Sequence, residues 1–343
     1  MKHCIYFKKT EPDVTFISEE HIFPAGIGGI QKLPLKYVSH NCNNAFSAME
    51  LPFMRNSLIA LPRQFYGPGK RGNLNPKNAT KSSVSLMNGV NDPKSIEFGY
   101  ISLGQPYSIP QLKFKLNGTC HFTSDSSLGD VNKQTSDFIK LLEKFKGKYK
   151  LFENEQLSQH EFIVGYSENN WYVALSNTDL ENEVSSFIEK FLEQKPFENQ
   201  SANFGTIQPN VIQTIQFDDR YYRVCAKIIF NYLAFVKGQA FVLENCFDPL
   251  REWIVNGGEN KFAGLLGKEA SYSIPFPELS HNLFIIQDKK VLKGIISFYG
   301  GAFETQVNLC DDFEGYFEMD GFICDWKNRK EFRFDDYVNT LTH

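Results

Sequence analysis

Glu20 and His21 stand side by side in the stretch EHIFPAGIGG, and Cys42-Asn43-Asn44 follows about twenty residues later. A histidine with its ordinary pKa near 6.5 can take a proton from water at neutral pH. A carboxylate and an Asn carbonyl are oxygen ligands for a hard cation. Together these are the groups that phosphodiester hydrolysis needs: a base for the attacking water, and a cation for the charge that develops on phosphate and leaving oxygen. Pro24 and Gly28-Gly29 lie between them and can turn the chain back. Each piece alone has a bland reading, since Glu-His before Pro can end a strand and Asn can cap a helix. Their order and separation favour a nuclease site.

That order, E-H-I-x-P, a paired glycine and then C-N-N at a helix start, resembles one branch of the HNH endonuclease family over roughly residues 1–57. The resemblance implies a ββα-metal module, two strands and a helix gripping one divalent ion. It makes His21 the general base, Glu20 a metal ligand from the end of the first strand, and Asn43 a second ligand. Glu50, two turns along the same helix face, would hold a metal-bound water. The implied cofactor is Mg²⁺, or Mn²⁺ or Ni²⁺, and the implied substrate is DNA, with RNA left open. One copy of the motif cuts one strand, so a double-strand break requires two protomers or two encounters. Many family members also carry two CxxC pairs that bind a structural zinc. Here the matching stretches are Cys4-Ile5-Tyr6-Phe7 and Ser39-His40-Asn41-Cys42, each with one cysteine missing. A four-thiolate zinc is excluded, a mixed site from His3, Cys4, His40 and Cys42 has the wrong spacing, and Phe7 is expected to fill the space.

The elements that must position these groups read as α+β: a small N-terminal ββα-metal (HNH) module followed by a larger mixed α+β domain. Strands are expected at 4–7 and 14–17 with a turn at 11–13, and a helix over 43–55 ending or kinking near Pro52. Its apolar contacts are Phe46, Met49, Leu51 and Phe53. No Asp or Glu occurs from Leu51 to Asn91, while Arg55, Arg63, Lys70, Arg71, Lys77 and Lys81 are all basic. Arg55, Arg63, Lys70 and Arg71 are therefore candidate nucleic-acid contacts, with a solvated loop as the plain alternative. The Gly-, Pro- and Asn-rich run at 67–82 suggests a boundary: an HNH module at 1–66, a basic linker at 67–90 and a regulatory, sensor or target-recognition domain at 91–343. Further along, the pattern predicts helices at 136–146, 180–194 and 220–237. It also predicts a hairpin at 162–175 and a turn at Gly300-Gly301 between strands 291–299 and 302–309. The 220–237 helix reads as core.

A chain of 343 residues with 42% hydrophobic content can bury a proper core, and a net charge of −4 announces no nucleic-acid partner globally. Seven cysteines without a CxxC pair fit reduced thiols. With no leader and no apolar run of about 18 residues, a cytoplasmic protein without a membrane partner is expected. The segments 226–234 and 247–254 resemble a tail found behind HNH modules in bacterial proteins, where an antiphage or restriction role is common. A regulatory protein or ligand at the C-terminal domain follows from that plan. The alternative is a nucleic-acid-binding regulatory subunit with a degenerate HNH core and a separate catalytic partner.

Overall fold

The computed structural model describes residues 3–75, 79–88, 95–115, 119–125, 128–158, 160–177, 181–194, 218–266, 275–301 and 303–341. Lys77, Leu180 and Ala302, each part of an expectation above, lie outside this set. The chain is mixed α+β, with three sheets among the described residues. It divides into two compact units, one of Met1–Thr80 with Ile215–His343, the other of Lys81–Thr214. The sequence boundary at 67–90 is thus near one junction, but the N-terminal segment belongs with the last third of the chain. The region 91–343 is not one domain. The physical reason is the core: buried side chains from 4–59 and from 221–326 form a single apolar cluster.

In the N-terminal segment, α1 (His40–Asn56) and α2 (Ala60–Tyr66) follow a stretch held by turns. The strands expected at 4–7 and 14–17 do not form. Cys4 and Lys9 close a loop instead, with Cys4 N–H donating to Lys9 O and Lys8 N–H to Cys4 O, both at 2.8 Å, and Ile5 N–H reaches Tyr37 O. At the motif the described residues make an isolated antiparallel bridge, His21 to Lys32, with Ile22 N–H donating to Gln31 O and Leu33 N–H to Glu20 O. Helix α1 begins earlier than expected and runs through Pro52. Cys42, Phe46, Met49 and Phe53 are its buried face, whereas Leu51 is exposed.

The second unit contains β1 (Ser85–Asn88), β2 (Ile96–Ser102) and β3 (Gln105–Ser108) as one antiparallel sheet. A five-stranded sheet orders β5 (Cys120–Thr123), β4 (Gln111–Lys115), β7 (Glu161–Ser167), β8 (Asn170–Leu175) and β6 (Lys150–Glu153). Period-2 alternation explains its two faces. Phe162, Val164, Val173 and Leu175 pack with Phe138 of α3 (Val131–Leu142) and with Val184 and Ile188 of α4 (Glu181–Gln194). Ile163, Tyr172 and Ala174 face Phe98 and Tyr100 of β2. The expected β7–β8 hairpin is present, its turn made by Glu168 and Asn169 at φ 49° and 61°. Helix α3 starts before position 136 because Asp130 caps it, accepting N–H groups from Asn132 and Lys133.

The chain then returns to the first unit with α5 (Asp219–Lys237), α6 (Gln239–Val242) and α7 (Asp248–Asn256). Six antiparallel strands follow in the order β14 (Lys330–Arg333), β13 (Asp320–Asp325), β10 (His281–Asp288), β11 (Val291–Phe298), β12 (Phe303–Cys310) and β9 (Ala263–Leu265), and α8 (Phe334–Leu341) ends the description. Helix α5 lies between this sheet and α1. Burial on both sides explains why every residue from Val224 to Ala234 is inside. Gly294 of β11 permits the close approach, since a Cβ there would overlap Ile229 of α5.

Candidate functional site: a lysine between two carboxylates

The turn that follows His21 is fixed from several directions. Gly28 adopts φ 101°, where a Cβ is strained and would also strike Trp326. Arg63 Nε donates to Gly26 O at 2.9 Å, and His281 Nε2 lies 3.1 Å from Ile27 O. Glu331 accepts the N–H groups of Ile30 and Gln31. His281 is fully buried, and burial drives its pKa down to about 3, so its neutral ring donates from Nε2 while Nδ1 accepts Tyr299 N–H. The turn is therefore held by side chains from α2, β10 and β14.

Just before that turn Glu20 points inward and His21 remains half-buried. Lys227 of α5, fully buried, places Nζ against Glu20 Oε1 and 2.5 Å from Glu50 Oε1 of α1. The Phe46 ring lies 5.4 Å from the same nitrogen. Burial opposes the charge on Lys227, but the two carboxylates outweigh it and its pKa rises. For Glu20 burial prevails and its pKa rises too, because one ammonium is shared between two carboxylates. One turn after Lys227, Asn231 donates to His21 O at 2.9 Å and accepts from Tyr6 Oη at 2.7 Å. Burial lowers the His21 pKa, and the Lys32 and Lys227 cations lower it further, which favours the neutral imidazole.

The residues expected to act together are only partly brought together. Glu20 and Glu50 meet through Lys227. Asn43 turns aside, its Nδ2 donating to Ser18 Oγ at 2.9 Å. A divalent ion does not fit the arrangement as it stands, because an ammonium already holds Glu20 and Glu50 and the other expected ligand, Asn43, is turned to Ser18. Among the described residues no group of three His, Cys, Asp or Glu side chains is placed to hold a metal. Positions 4, 7, 39 and 42 do converge: the Cys42 thiol and the N–H groups of Ser39 and Phe7 all donate to the Cys4 sulfur. That thiol is drawn down to about 5, the Cys42 hydrogen bond being the main cause, while burial pushes Cys42 up. Phe7 is partly buried against the core.

The basic residues divide. Arg55 is exposed at the end of α1. Arg63 is buried, tied to Gly26 O and Gly69 O, and faces the protein rather than a ligand. Its role is to join the turn to the following loop. Lys70 and Arg71 are exposed and line a cavity of about 680 Å³ with Gly72, Asn73, Leu74 and Arg329. This loop packs on the turn, Gly72 lying against Ala25 O and the Gly28 backbone. Arg329 joins it by donating to Gly72 O at 3.1 Å.

Lys227, Asn231, Tyr6 and Arg329 were not anticipated. The first two had a signal, being the only hydrogen-bonding side chains besides Tyr232 in AKIIFNYLA, and four residues apart on one helix face. No family model matches the chain, and no curated protein or solved structure matches it either. Among the described residues no helix is long and apolar enough to cross a membrane.

Proposed function

We propose that the first unit is an HNH-like endonuclease acting on a nucleic acid, most readily DNA, with His21 as the general base. The observation that carries this reading is a half-buried His21, its backbone O held by Asn231, next to Glu20 of a buried carboxylate pair, on a turn against which Lys70 and Arg71 of the following loop and Arg329 lie. His21 takes a proton from water as its oxygen bonds to phosphorus; the phosphorus–oxygen bond to the sugar breaks, and the leaving oxygen is protonated from solvent. Asn231 positions the His21 backbone, and the three cations of the cavity fit phosphate oxygens. Mg²⁺, Mn²⁺ or Ni²⁺, implied by the resemblance, enters no step here, because Lys227 already holds Glu20, the expected ligand, and Glu50, while Asn43, the other expected ligand, is turned to Ser18.

That same lysine favours a second reading, a degenerate HNH core that binds nucleic acid without cutting it. One panel separates them: purified chain with supercoiled DNA, single-stranded DNA and RNA, each in EDTA, Mg²⁺, Mn²⁺ and Ni²⁺. Nicking by the chain alone supports the endonuclease. Binding without cleavage in every condition supports the subunit and ends the enzyme reading.

A further inference from the structure

Lys227 is held by more than its own rotamer. Helix α5 is buried on every side over Val224–Ala234, and Ile229 seats against Gly294 of the sheet, so the backbone that carries Lys227 has little room to move. Its ammonium contacts Glu20 and Glu50, whose side chains are only 7% and 15% exposed, and the Phe46 ring covers another side. Two buried carboxylates from different elements would repel each other if no cation lay between them. The sequence resemblance implies a divalent ion in this position; here the chain supplies an ammonium from a residue 177 positions after Glu50 in sequence.

We infer that Lys227 is the resident cation of the site, holding Glu20 and Glu50 together in the place a divalent ion would occupy and excluding that ion from the pair. The first unit then needs no bound metal to keep its N-terminal segment docked on α5. Lys227 is a positioning residue in this scheme: it acts through Glu20, whose neighbour is His21. The inference concerns the same site as the proposed hydrolysis, but its readouts are ion binding and thermal stability, so either can fail without the other.

The test compares wild type, Glu20→Gln, Lys227→Gln and the double variant Glu20→Gln/Lys227→Gln in EDTA and across a Mn²⁺ titration. Melting is followed by circular dichroism and Mn²⁺ binding by electron paramagnetic resonance. Wild type should melt at the same temperature in EDTA and in Mn²⁺, with no saturable Mn²⁺ binding that depends on Glu20. Lys227→Gln should lose stability in EDTA and recover part of it saturably with Mn²⁺, because removing the ammonium frees both carboxylates. The double variant should lose that response. Saturable Mn²⁺ binding to wild type that Glu20→Gln abolishes would overturn the inference, as would a folded Lys227→Gln indifferent to Mn²⁺. Should Lys227→Gln fail to fold in either condition, the wild-type binding curve alone decides between the same two outcomes.

Discussion

The two units bury polar groups in different ways. In the Lys81–Thr214 unit, Gln111 completes the backbone: its Oε1 accepts Phe98 N–H at 2.7 Å, and its Nε2 donates to Phe98 O and Ile109 O. Those partners are near in sequence, and the unit's buried Asp125 also meets a residue only 25 positions away, accepting from Tyr100 Oη. In the other unit buried charged groups take distant partners: Lys227 with Glu20 and Glu50, and Arg63 with the turn after His21. A neutral amide repairs a gap in a fold; a buried charge is expensive unless paired, and its pairing ties separate segments to each other. The difference lies in the reach of the buried charges: in the first unit they join segments far apart in sequence, while in the second the buried polar groups lie within a core of aromatic and aliphatic packing and meet near neighbours.

The largest test of that contrast removes one member of each arrangement. Lys227→Ala leaves two buried carboxylates unpaired and should cost about 3–5 kcal/mol in chemical denaturation. Gln111→Ala, which strands backbone groups only, should cost about 1–3 kcal/mol. Equal losses would erase the distinction.

Acid should distinguish the units next. The folded His281 pKa of about 3 lies below the ordinary value of 6.5. The unfolded chain therefore binds a proton that the folded chain refuses. The stability this imidazole contributes is complete above pH 6.5 and falls as pH drops toward 3, by about 1.4 kcal/mol per pH unit. Denaturation midpoints at pH 7, 6, 5 and 4 should show that slope for the first unit, and His281→Gln should flatten it. An unchanged slope in the variant would remove His281 as the cause.

Gly28→Ala comes third, at about 1–3 kcal/mol, from its left-handed backbone and the overlap with Trp326; thermal melting measures it. The smallest effect on stability belongs to the cavity. Lys70→Ala, Arg71→Ala and Arg329→Ala should each stay within about 0.5 kcal/mol of wild type. Each should weaken nucleic-acid binding and lower the salt dependence of log K by about 1. Arg63→Ala should do the reverse, losing stability because its carbonyl partners are left buried, and a pure binding defect in that variant would contradict its place in the structure.

Local chemistry was legible where it decided the outcome locally. The Glu168-Asn169 turn, the extent of α5 and its stop at Gly238 follow from turn residues and periodicity. The motif at Glu20-His21 stood out in the sequence by its residue types, and the structure buries its glutamate. What could not be read was the partner of that glutamate, because Lys227 lies 207 residues away and only the packing of α5 between α1 and the sheet brings it close. The helix was read as plain core because its period is apolar, and a lone lysine in such a helix does not announce which acid it meets. The absent strands at 4–7 and 14–17 have a similar origin. Their β-branched and aromatic residues favour extended chain, but the hydrogen bonds around Cys4 fold the first stretch into a turn. Arg63 misled for the opposite reason: its charge reads as surface, yet the carbonyls of Gly26 and Gly69 satisfy it inside.

The role of His21 is tested most directly by nicking of supercoiled plasmid, wild type against His21→Ala, with DNA binding measured on the same samples. The expected result is cleavage by wild type, none by His21→Ala, and equal binding by both. Full cleavage by His21→Ala would contradict the assignment of this imidazole as the base.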